Sequence, residues 1–177
     1  VLDIFRNGRL PVTAGGLVDS VFGPGGDRGS LVISGGNGIV GSGKAMQLGS
    51  RLEVFGVPLL TLDLPDAPDG LGSQYAGLKA AFGAQAPRIM SNIIRFNYDG
   101  KSVPDGMKRF KPRFVLEAIP ELLELKRAHY EQMRGAFPGV EIRSVTSGFP
   151  SRELGVGILH PSFPHQINKV WEVVEPE

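Results

Sequence analysis

The 177-residue chain contains no cysteine, which excludes disulfides, thiolate metal sites and a thiol nucleophile together. Long apolar runs are missing too. Nothing approaches the roughly 18 consecutive apolar residues of a membrane-spanning helix, and no signal-peptide pattern opens the chain. Neither sign of charge dominates: 19 basic and 18 acidic residues, net +1, are mixed throughout. That balance offers no footprint for nucleic acid or a membrane surface. Histidine is scarce, at three. His160 and His165 flank Pro164 in a loop, which is not the spacing of a helix-face metal pair, so no metal is expected. These absences leave a globular protein, expected in the cytoplasm, long enough for one ordinary domain with a real core. Its first residue is Val rather than Met, as in a chain that is processed or cut from something longer.

What the chain has in quantity is glycine, 25 residues, and one group of them organises the stretch from Ser30 to Asp63. Ser30 to Ser34 is short, apolar and β-branched, the pattern of a buried parallel strand. Gly36-Asn37-Gly38-Ile39-Val40-Gly41 follows at once as G-x-G-x-x-G. A helical run from about Ile39 to Phe55 ends at Gly56, and a second apolar run, Val57 to Leu62, ends on Asp63. In such a unit Gly36 permits the tight turn, Gly38 lets the backbone approach a pyrophosphate, and Gly41 lets helix and strand pack closely. The helix N-terminus then supplies N–H donors and positive dipole to the phosphates. Asp63 stands where a carboxylate takes the adenosine ribose hydroxyls. It would repel a 2′-phosphate, which favours NAD over NADP. The glycine pattern alone is weak in so glycine-rich a chain. The strand before it, the helix after it and the acid closing the next strand make it a dinucleotide signal.

The rest of the chain alternates strands and helices. Residues 1–29 read as an N-terminal arm or linker, or a remnant of a preceding domain, and residues 30–177 as the binding domain. The acids around Leu64 to Gly70 belong to a solvated turn-rich loop. Helices are expected over Leu71 to Phe82 and Ala86 to Met90, and strands over Ile93 to Tyr98, Phe114 to Ile119 and Val140 to Thr146. Basic residues from Lys101 to Arg113 form a solvated face. Pro120 and Glu121 suit the first turn of a helix running to about Arg134, with Leu122, Leu125, His129 and Met133 on one side. His129 there reads as a half-buried helix residue and not a ligand. Leu154 to Leu159 leads into His160, and Lys169 to Val174 forms a last strand. The expected fold is α/β: a Rossmann-like, doubly wound, mainly parallel sheet flanked by helices. Its closing strands, linked by too little chain for helices, form a small mixed or antiparallel edge.

From Phe114 onward the chain resembles the NAD-binding domain of 3-hydroxyacyl-CoA dehydrogenases. Three pieces carry the resemblance. Glu117-Ala118-Ile119-Pro120-Glu121 is followed by Lys126, five residues on. Ser144-Val145-Thr146-Ser147 stands at a strand end. His160-Pro161-Ser162-Phe163-Pro164 is followed twelve residues after the histidine by Glu172, within Trp171-Glu172-Val173. The resemblance spans about Ser30 to Glu175 and includes the glycine loop and Asp63. It implies an NAD cofactor and oxidation of a 3-hydroxyl group in an acyl-CoA-type substrate of fatty acid metabolism. His160 would be the general base, Glu172 would fix its tautomer and stabilise the imidazolium, and Ser147 would hydrogen-bond the substrate oxygen. Ala118, Ile119, Glu121, Lys126 and Ser147 would border the nicotinamide end. Without the family, His160 and Glu172 are a His–carboxylate pair and no more.

Val145 and Phe163 stand where the family has Asn, and the segment between Ser147 and His160 is shorter than the family's. These departures point to a reshaped acyl pocket or another hydroxyl substrate. The family's second, helical domain, which holds much of its substrate pocket and dimer surface, would begin where this chain stops at Glu177. A homodimer would form through that domain. Two other readings stand beside the first: a free-standing NAD(H)-binding module without turnover, and a related dehydrogenase with a different hydroxyl substrate.

A His160→Ala chain is expected to lose turnover and keep its NADH affinity, as measured by steady-state kinetics and a fluorescence titration. Surviving turnover would exclude His160 as the base.

Overall fold

The structure, a computed structural model, describes residues 12–159. Six strands form one sheet: β1 (Ser30–Ser34), β2 (Leu59–Asp63), β3 (Ile93–Asn97), β4 (Pro112–Glu117), β5 (Glu141–Ser144) and β6 (Gly157–Ile158). Their order is β3-β2-β1-β4-β5-β6, and every described pair is parallel. This is the Rossmann-like doubly wound arrangement expected of the sequence. The central strand β1 is buried at all its positions, because helices cover both faces of a parallel sheet and no polar alternation is needed.

Successive side chains on a strand point to opposite faces, and the core divides accordingly. Leu31, Ile33, Leu59 and Leu116 face one helical layer, formed by α1 (Ala14–Phe22), α2 (Ile39–Leu52), α3 (Gly70–Phe82) and α4 (Ala86–Ser91) through Phe22, Met46, Leu71 and Ile89. Val32, Leu60, Val115 and Ile142 face the other layer, where α5 (Leu123–Ala136) with its C-cap Phe137 and α6 (Ser151–Leu154) contribute Tyr130, Met133, Phe137 and Leu154. Among the described residues no helix is long and apolar enough to cross a membrane.

Two departures from the sequence reading concern the course of the chain. Where a small mixed or antiparallel edge is expected, the described closing strand β6 pairs parallel with β5. The connection from Val145 to Val156 holds the one-turn helix α6, and about a dozen residues suffice for a crossover. The other expected closing strand, Lys169 to Val174, lies outside the described residues. Pro120 does not begin a helix either. Residues 118–122 form a loop, and α5 starts at Leu123 after an extended Leu122, because Glu121 is drawn to Thr146 and Gly148 in the loop after β5 instead of the helix end.

Within residues 12–29, Thr13 caps α1 by accepting the Gly16 N–H at 3.0 Å, and Val18 and Phe22 are buried in the first core layer. The Gly29 N–H donates to the Phe22 carbonyl, so the short connection through the Gly25–Asp27 turn folds back on the helix end just before β1. Replacing Phe22 with Ala is expected to lower the unfolding free energy by about 3 kcal/mol in chemical denaturation. A loss below about 1 kcal/mol would mean that α1 is only loosely attached.

Candidate functional site

The turn after β1 is shaped by close approach. Gly35 has a φ of 74°, and a Cβ on it would lie 2.5 Å from the Ala118 carbonyl oxygen. The left-handed residue is therefore Gly35, one position before the G-x-G-x-x-G pattern. Gly36 is instead required because a side chain there would strike Thr61. Gly38 occupies the N-cap of α2, its N–H donating to the Gly35 carbonyl at 3.1 Å. The first-turn N–H groups of Ile39, Val40 and Gly41 are those that a helix leaves without intrahelical partners. A Cβ at Gly41 would sit 2.0 Å from the Gly35 carbonyl oxygen, so the helix can begin this close only on glycine.

Asp63 ends β2 beside this turn. Its Oδ2 accepts the Asn37 N–H at 2.7 Å and its Oδ1 the Leu64 N–H at 2.9 Å. The carboxylate therefore ties the glycine turn to the neighbouring strand, at the C-terminal edge where β1 parts toward β2 on one side and β4 on the other. In a doubly wound sheet that is the switch point at which ligands bind. A cavity of about 500 Å³ opens there. Gly38, Ile39 and Val40 line it from the helix start, Asp63 from the end of β2, Leu64 and Pro68 from the loop that follows, and Ala118, Ile119 and Pro120 from the loop after β4. Tyr98, His129 and Gln132 complete it. The lining is mostly apolar, as befits a planar ring, and the N–H groups and Asp63 lie along one side. Residues and shape thus fit a dinucleotide.

His129, read from the sequence as half-buried, is only 4% exposed. Its Nε2 is 2.8 Å from the Ser34 hydroxyl, and Tyr98 meets its ring edge to face. Burial lowers its pKa to about 4, against an upward pull from Glu117, and Lys126 lowers it further. The ring is therefore neutral near pH 7. Sequence reasoning passed over Gly35, Ser34 and Tyr98. Only Gly35 carried a local signal, a glycine pair directly after a strand.

The resemblance-derived residues gather on the other side, around β4 and β5. Lys126 is buried and its Nζ lies 2.6 Å from Glu117 Oε1, 3.2 Å from Glu121 Oε2 and 3.3 Å from the Ile119 carbonyl. Glu121 also accepts from the Thr146 hydroxyl and from the Gly148 N–H. Partial burial pushes the Glu121 carboxyl up, but the Thr146 hydroxyl, the Lys126 charge and the Gly148 N–H together outweigh it and hold its pKa below the ordinary value. Ser147 is half-buried between Thr146 and Gly148. Ala118 and Ile119 line the cavity, whereas Glu121, Lys126 and Ser147 stand beyond its wall. His160 and Glu172 lie outside the described residues.

No protein-family model matches the chain, and no curated protein matches it. Among solved structures it is similar to the crystal structure of 5-formyl-3-hydroxy-2-methylpyridine 4-carboxylic acid 5-dehydrogenase, described as an NAD+-dependent dismutase. The TM-score is 0.50 at 19% sequence identity, over 82% of this chain and 53% of that one. The likeness is one of fold, and this chain spans about half the length of that protein.

The buried His129 makes stability depend on acid. Its folded pKa of about 4 lies below the ordinary 6.5, so the unfolded chain binds the extra proton between those values. Stability is full above pH 6.5 and falls as the pH drops through that window. The loss from this ring reaches about 3 kcal/mol near pH 4. Urea unfolding at pH 7 and pH 4 should show a shallower acid loss for His129→Gln. An unchanged slope would place the titration elsewhere.

Proposed function

We propose that the chain is the NAD-binding domain of an NAD-dependent oxidoreductase similar to the 3-hydroxyacyl-CoA dehydrogenases. The observation that carries this reading is the cradle at the switch point: a glycine turn with no room for side chains, a helix start aimed at the cavity, and Asp63 beside both. NAD, when bound, would supply the hydride acceptor. The Ile39, Val40 and Gly41 N–H groups would hold its pyrophosphate. Asp63 would accept the adenosine ribose hydroxyls and disfavour a 2′-phosphate. The apolar walls from Leu64 and Pro68, beside Asp63, would exclude water from the adenine.

On the β4–β5 side, Glu121, Lys126 and Ser147 would border the reacting end. There Ser147 would orient the substrate oxygen and His160 would take the proton from a hydroxyl group. Glu172 would hold the other ring nitrogen of His160 and stabilise its protonated form. The acyl-CoA class rests on the sequence resemblance. A second reading is a related dehydrogenase with a different hydroxyl substrate, since the structurally similar protein is named as a dehydrogenase of a pyridine carboxylic acid. The Val145 and Phe163 departures favour it as well.

Titration of the chain with NADH, followed by nicotinamide fluorescence, is expected to saturate, with NADPH at least about tenfold weaker. Equal affinities would remove Asp63 as the discriminator. No binding by a chain shown to be folded would end the NAD reading.

A further inference from the structure

Where β1, β4 and β5 end, their last paired side chains are polar and fully buried. Ser34 on β1 pairs in register with Glu117 on β4, and Glu117 with Ser144 on β5. All three are at most 1% exposed. Helix α5 lies over this row with Lys126, His129 and Tyr130, themselves buried. Glu117 is the hub. Its Oε1 accepts from Lys126 Nζ at 2.6 Å and from the Ile119 N–H at 2.8 Å. Its Oε2 accepts from the Tyr130 hydroxyl at 2.5 Å and the Ser144 hydroxyl at 2.8 Å. Burial first, and the Glu117 charge second, push the Tyr130 phenol up, so it stays a donor.

We infer that Glu117 is a positioning residue for the reacting end of the dinucleotide, acting through Lys126 and Glu121; the inference rests on the NAD reading above. Two features carry it. Glu117 and Lys126 grip Ile119 from both sides, one accepting from its N–H and the other donating to its carbonyl. The first loop residues after β4 are therefore set by this pair. Lys126 then reaches on to Glu121, which holds Thr146 and Gly148 on either side of Ser147. A single buried carboxylate thereby aligns the β4 loop with the β5 loop. Stability does not account for it, since a well-packed apolar layer is often as stable as a buried ion pair. Fixed geometry does.

The chain of contacts leads away from Asp63. Asp63 ends β2, and Thr146 follows β5, three strands along the sheet order. Loss of the Glu117 charge should thus weaken the two ends of a bound dinucleotide unequally. AMP, which carries only the adenosine end, serves as the comparison probe.

Glu117→Gln in the full chain is expected to lower NADH affinity roughly tenfold and AMP affinity less than about twofold, measured by calorimetric titration. A parallel loss of both ligands, or no loss of either, would overturn the inference. Where wild-type chain binds neither NADH nor AMP, the NAD reading itself fails and takes this inference with it. Thermal unfolding checks that the variant is folded. Should Glu117→Gln not fold, Tyr130→Phe removes one hydroxyl from the same carboxylate and leaves the ion pair. It is expected to show the same selective loss of NADH, about two- to threefold, and equal effects on both ligands would again overturn the assignment.

Discussion

Helix α2 can begin against the end of β1 only because position 41 carries no side chain. A Cβ there would lie 2.0 Å from the Gly35 carbonyl oxygen, far inside any allowed contact. Much of the molecule's ligand-facing edge follows from that approach. With the helix start held close, its free N–H groups look into the cavity at the switch point. The Asn37 N–H comes within reach of Asp63, and the Asn37 carbonyl accepts from Gly70 at the start of α3. Gly70 is under the same restriction, since its Cβ would lie 2.2 Å from that carbonyl. Strand β1, strand β2 and helices α2 and α3 are thus joined through one short turn that tolerates almost no added atom.

Apart from Ser30 and Thr61, the buried strand positions are apolar until the ends of β1, β4 and β5. There Ser34, Glu117 and Ser144 replace the β-branched and leucine side chains of the interior, and α5 answers with Lys126, His129 and Tyr130. Each buried polar atom in this group must find a partner or lower the stability of the fold. The Glu117 carboxylate, with four donors, is well satisfied. A layer of this kind favours one arrangement strongly, because any shift of α5 or of the β4 loop would strand a buried charge. The loops that border the proposed reacting end spring from a rigid floor.

The two sides of the C-terminal edge therefore differ in chemistry. Over β1 and β2 stands a largely apolar cavity with a carboxylate and helix N–H groups at its margin. Over β4 and β5 stands a polar network that reaches outward through Glu121. An apolar ring, a diphosphate and a polar reacting end in sequence match that order, which is why a dinucleotide is the reading the geometry supports best.

The sequence alone was sufficient for whatever depends on near neighbours. The apolar run of β1, the glycine turn, helix α2 and the acid ending β2 are written in about thirty consecutive residues, and local periodicity with backbone sterics decides them. The alternation of strands and helices carried the doubly wound order with it. Local signals misled where a distant partner competed. Pro120 and Glu121 look like a helix start, but Glu121 is held by Thr146 and Gly148, more than twenty residues on. The parallel direction of β6 depends on how a short connection crosses the sheet, which propensity does not encode. Tertiary structure alone decided that His129 would face Ser34, 95 residues away, and that Glu117 would gather Lys126, Tyr130 and Ser144. Residue type shows that such groups need partners. Only the packing of α5 on the sheet selects which ones they receive.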